Sequence, residues 1–98
     1  MKTFYSEYAQ HAMKFYINYP NLTEFRSEMD RENWEACRDA LKVFDEHDKE
    51  LILSIYGRKE IISVAVRQTG AQFGVSEFVL WKLVKDFEHG FAKRRGLI

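Results

Sequence analysis

At 98 residues with no net formal charge, one Pro, five Gly and one Cys, the chain has room for one domain that buries roughly two-thirds of its unfolded surface. A 46% hydrophobic and 15% aromatic composition excludes a disordered chain, and the single Cys37 excludes an internal disulfide and fits a reducing cytosol. No stretch approaches the ~18 apolar residues of a membrane span, and no apolar leader follows Met1-Lys2, so the expected place is cytoplasmic with no membrane partner.

The first predicted helix runs from Phe4 to Tyr19, where Phe4, Tyr8, Ala12, Phe15 and Tyr19 recur at helical spacing beside Tyr5 and Tyr16. Pro20 ends it, because proline disfavours helical geometry in the residue before it. The aromatic stripe reads as core, and its surplus width makes this helix a candidate dimer surface. A second helix lies within Leu22 to Phe44, with Thr23, Ser27 or Asp30 as its cap. Trp34, Cys37, Leu41 and Phe44 form its inward seam. Cys37 reads there as a small buried residue, since no activating cluster lies near it.

Asp45 or Asp48 caps a third helix, Lys49 to Tyr56, which buries Leu51, Ile52, Ile55 and Tyr56 and ends on Gly57 as C-cap. A fourth helix spans about Glu60 to Phe73, with Ile62, Val66, Thr69 and Phe73 as one stripe that Ile61 and Ala65 widen. Its β-branched residues make a strand at Ile61 to Val66 the alternative, but no second strand-like segment is available to pair with it. The last helix runs from Glu77 to about Arg95. The expected fold is all-α, about five helices in a single domain spanning residues 1–98, with a helix-turn-helix at its C-terminal end.

Charge divides along the chain. From Met1 to Gly57 there are 7 Lys+Arg against 11 Asp+Glu, a net −4; from Arg58 to Ile98 there are 8 against 4, a net +4. A basic second half can approach phosphate, although small domains also show such asymmetry by chance.

The helix-turn-helix rests on GVSEFVLWKLVKDFE, Gly74 to Glu88. Gly74 permits the left-handed corner, and Gly70, four places earlier, supplies the small residue where two helices touch. Phe73 plugs the corner, Ser76 caps the next helix, and Glu77 suits its positive end. At 100° per residue, Leu80, Leu83, Val84, Phe87 and Phe91 gather on about a third of the circle as the inward face. Phe78, Lys82, Lys85 and His89 fall opposite, with Trp81 on the shoulder. In the tail, Lys93, Arg94 and Arg95 suit phosphates, or simply the negative end of the helix.

From Phe44 onward the chain resembles region 4 of bacterial sigma-70-type factors and related small regulators. The resemblance is carried by DKELILSIYG (Asp48 to Gly57) and by the glycine, Ser cap and inward aliphatics of Gly74 to Glu88, over roughly half the chain. It implies double-stranded DNA as partner, with base-reading positions at Ser76, Glu77, Lys82 and Lys85. The family usually presents Arg, Glu and Gln just after the Ser cap; this chain has Phe78, Val79 and Trp81, and Phe78 suits a thymine methyl. The N-terminal half matches no polymerase-binding sigma region, so a sigma factor proper is not expected. As a whole, the chain is also similar to small proteins of Gram-positive bacteria and their mobile elements, which brings no activity with it.

No Gly-rich phosphate loop, Cys pair or metal-binding His motif occurs. His11, His47 and His89 lie apart, and Asp45, Glu46, His47, Asp48 and Glu50 lack the spacing of a calcium loop. Neither an enzyme nor a cofactor is expected. The expected function is a small DNA-binding transcriptional regulator with Glu77 to Arg95 as recognition helix. The alternative is a protein-interaction or dimerisation module in which Phe78 and Trp81 are the anchors.

Overall fold

The computed structural model describes residues 3–98. Among them are five helices and no strand: α1 (Ser6–Asn18), α2 (Glu28–Leu41), α3 (Glu46–Gly57), α4 (Ile62–Phe73) and α5 (Glu77–Arg94). The all-α expectation holds, and the Ile61 to Val66 segment is helix. Ala65, Val66, Thr69 and Gly70 bury one face of α4 at helical spacing, and that packing outweighs the low propensity of its β-branched residues.

Side-chain caps set three helix starts. Ser27 accepts the Asp30 N–H at 3.1 Å, Asp45 the Asp48 N–H at 2.8 Å, and Ser76 the Val79 N–H at 3.2 Å. With Asp45 as the cap, α3 begins at Glu46, three residues before the expected Lys49. Gly57 is not the left-handed C-cap that was expected. It is the last residue of α3, and positive φ occurs among the described residues only at Gly74 and Gly96. Arg58 holds that corner instead, donating to Thr69 Oγ1 at 3.0 Å, to Ser54 Oγ at 3.3 Å and to Gln72.

Helix α5 packs against all four others. Phe87 and Phe91 are fully buried at its centre, facing one core that includes Met13, Cys37, Leu51, Ile52, Ile55 and Val66. Burial pushes the Cys37 thiol up to about 12, so it is protonated and inert at neutral pH.

The inward face of α1 differs from the expected aromatic stripe. Tyr5, Ala9, Ala12 and Met13 are buried, whereas Phe4 and Tyr19 are exposed at opposite ends. Through this face α1 packs on α2, α3 and α5. The large rings are used at the edges of these contacts. Tyr8 packs on Phe91 and donates to Asn33 Oδ1. Tyr16 and Phe25 flank Trp34, whose Nε1–H donates to the Tyr19 carbonyl at 2.8 Å. Most of the aromatic surplus of α1 is therefore satisfied inside the domain.

Candidate functional site

The α4–α5 corner is built from three residues of GVSEFVLWKLVKDFE and one from the helix before it. Gly74 takes φ +67°, a left-handed conformation that costs a residue with a Cβ about 1–2 kcal/mol. The Val75 N–H turns back to the Gly70 carbonyl at 3.1 Å. A Cβ on Gly70 would stand 2.8 Å from the Val75 carbonyl oxygen and 3.5 Å from Leu80 Cδ1. Only glycine lets the incoming loop sit this close, as the sequence spacing predicts. Ser76 then caps α5, and Glu77 occupies its first turn.

The corner fixes which face of α5 is free. Leu80, Leu83, Val84, Phe87 and Phe91 are buried, as expected from their common arc. Ser76, Glu77, Phe78, Trp81, Lys82, Lys85, His89, Lys93 and Arg94 are exposed. Phe78 is 81% exposed and Trp81 39%. The buried arc also widens along the helix. Glu88 and Ala92 are buried at nearly the azimuth where Glu77 and Trp81 are open. The N-terminal half of α5 therefore stands clear of α1, and the C-terminal half is sunk into the domain.

Where the two helices part, a groove of about 600 Å³ opens. Tyr5 and Gln10 of the α1 side, Ile62 at the start of α4, and Phe78, Trp81 and Lys85 of α5 line it. At its inner end lies Glu88, a residue not singled out by the sequence. It is 5% exposed and accepts from Tyr56 Oη at 2.6 Å and from Gln10 Nε2 at 3.4 Å. Burial raises its pKa, while the hydrogen bonds from Tyr56, Ser6 and Gln10 pull the other way. Tyr56 is pushed well above its ordinary value by burial and by the Glu88 charge beside it. The inward arc edge at residue 88 is the only sequence signal, because the partner Tyr56 is 32 residues away.

The cations are not equivalent. Among the described residues Lys85 makes no ion pair, while Lys82 lies 3.5 Å from Asp86 on the same surface and Arg94 donates back to the Gly90 carbonyl at 3.0 Å. Arg95 departs most from the expected phosphate contact. Its guanidinium bonds Asn33 Oδ1 at 2.7 Å, Glu32 at 3.0 Å and Tyr8 Oη at 3.5 Å, tying the end of α5 to α1 and α2. The structure thus groups Ser76, Glu77, Phe78, Trp81, Lys82 and Lys85 on the exposed side of the N-terminal half of α5, places His89, Lys93 and Arg94 further along the helix, and turns Arg95 inward. Among the described residues no set of three or more His, Cys, Asp or Glu is arranged to hold a metal ion, and no helix is long and apolar enough to cross a membrane. Comparison with protein families, with curated proteins and with solved structures finds no match to this chain.

Proposed function

We propose that the chain is a small DNA-binding transcriptional regulator in which α4, the Gly74–Ser76 turn and α5 act as a sigma-region-4-like helix-turn-helix. The observation that carries this reading is the exposed face of the N-terminal half of α5, set on a corner held by Gly70, Gly74 and Ser76. A major groove about 12 Å wide admits one helix, and this half of α5 is the part free to enter it. Ser76, Glu77 and Lys82 would meet base edges, Phe78 a thymine methyl, and Lys93 phosphates; Lys85, about two helical turns in from Glu77, would meet a phosphate in place of the base edge that the resemblance implies. Trp81, His89 and Arg94 flank that surface, and Arg95 supports it from behind.

Fluorescence anisotropy of labelled mixed-sequence duplex across a salt series tests this. Binding at low salt that weakens linearly in log Kd against log salt is expected; no binding at low salt, or binding without a salt slope, rules it out.

A second reading has its own observation. Phe78 at 81% exposure and Trp81 beside an open groove suit a protein interface better than a polar base edge. In that reading the corner is a scaffold, and the aromatic pair anchors a protein partner.

A further inference from the structure

We propose that the groove between α1 and α5 binds a small organic cation, an ammonium group on an aromatic body, with the Glu88 carboxylate at the inner end as its counter-charge. Such a site needs neither a duplex nor a protein partner, so it goes beyond both readings above.

The charge of Glu88 is what calls for a ligand. The residue is 5% exposed, yet it lines the groove. Its carboxylate accepts from Tyr56 Oη at 2.6 Å and from Gln10 Nε2 at 3.4 Å, with Ser6 as a third donor. All three donors are neutral. Among the described residues no Lys, Arg or His forms an ion pair with it. A buried charge held only by neutral donors is costly. Glutamine at this position would keep an acceptor for Tyr56 without that cost, so tying α1 and α3 to α5 does not by itself require a carboxylate. A carboxylate offers about four acceptor places, and three donors leave one for a ligand that brings the missing positive charge.

The walls suit the rest of such a molecule. The groove of about 600 Å³ is lined by Tyr5, Ile62, Phe78, Trp81 and Val84, and small-molecule sites span roughly 300–1,000 Å³. Aromatic rings stack on flat apolar bodies and also attract cations. The charges at the mouth do not cancel Glu88. Lys82 and Asp86 pair with each other at 3.5 Å, and both are exposed, as is Lys85. Water and salt screen charges so placed, whereas a buried carboxylate is screened much less. The inner end therefore selects for positive charge.

Isothermal titration calorimetry on the full chain at neutral pH tests the proposal with three probes of matched shape: naphthylmethylamine, a cation at that pH, neutral naphthylmethanol and anionic naphthoate. Wild type should bind the amine at one site, about tenfold or more tighter than the alcohol, and naphthoate most weakly. Glu88→Gln, checked as folded by circular dichroism, should lose that preference for the amine. Glu46→Gln removes the same charge from an exposed position at the start of α3 and should keep the preference. Failure of the amine to bind wild type at millimolar concentration, equal affinity for all three probes, or a folded Glu88→Gln that still prefers the amine overturns the proposal. If Glu88→Gln does not fold, the probe series on wild type decides: a preference for the amine supports the site, and its absence overturns it.

Discussion

Two glycines and one glutamate set the local chemistry of the α4–α5 corner. Gly70 is tight against backbone, since a Cβ would meet the Val75 carbonyl oxygen at 2.8 Å. Gly70→Ala should cost about 1–3 kcal/mol of overpacking, more than the ~1 kcal/mol that alanine contributes to helix propensity. Gly74→Ala has open space but the wrong φ, and should lose about 1–2 kcal/mol. Urea denaturation measures both, and a stability gain in either variant would contradict this description of the corner. Glu88 makes a pH prediction. Its pKa is raised above the ordinary 4.5, chiefly by burial. A carboxyl whose folded pKa lies above its unfolded one contributes most below the unfolded value, and that contribution is lost as pH rises through the folded pKa. Glu88→Gln keeps an oxygen for the Tyr56 hydroxyl and removes the charge. Its melting temperature relative to wild type should therefore climb as pH is raised from about 4 towards 7. A difference that stays flat or falls over that window would show that the carboxyl is not held in a penalising site.

At the scale of helices, α5 was the most legible element and α1 the least. The inward arc of α5 follows from spacing alone, because Leu80, Leu83, Val84, Phe87 and Phe91 are large, apolar and on one side. In α1 two apolar arcs compete. Spacing placed Ala12 inward with the larger rings; Ala12 is buried, but in company with Ala9 and Met13 in place of Phe4, Phe15 and Tyr19. Glu88 and Arg95 were illegible for a different reason. Each is fixed by partners far along the chain, Tyr56 for one and Glu32 and Asn33 for the other. A local pattern cannot carry that information. The ends of α5 now separate by role. Ser76→Ala should cost about 1 kcal/mol through the lost cap and loosen the first turn of α5. Arg95→Gln should lower the melting temperature by untying α5 from α1 and α2, and leave duplex affinity unchanged at a temperature where the variant is folded. Thermal melts and anisotropy on the same samples check the pair; an Arg95→Gln variant with native stability and weakened DNA binding would return that residue to the phosphate contacts.

Over the whole molecule, the division of −4 and +4 between the two halves of the sequence overstates the positive charge offered to a partner. Arg95 is paired with Glu32, Arg58 is folded into the α3–α4 corner, and Lys82 shares its surface with Asp86. Exposed pairs such as Lys82–Asp86 are weak and open readily, so Lys82 stays available where a phosphate competes for it. Among the described residues Lys85 is exposed on the same face and makes no ion pair. The most direct test of a DNA-reading α5 is therefore the salt dependence of duplex binding by wild type, Lys85→Gln and Arg95→Gln, measured side by side. Removing one phosphate contact should flatten the slope of log K against log salt by about one for Lys85→Gln and by nothing for Arg95→Gln. Wild type that fails to bind duplex at low salt, or a slope that Lys85→Gln leaves untouched, would contradict it.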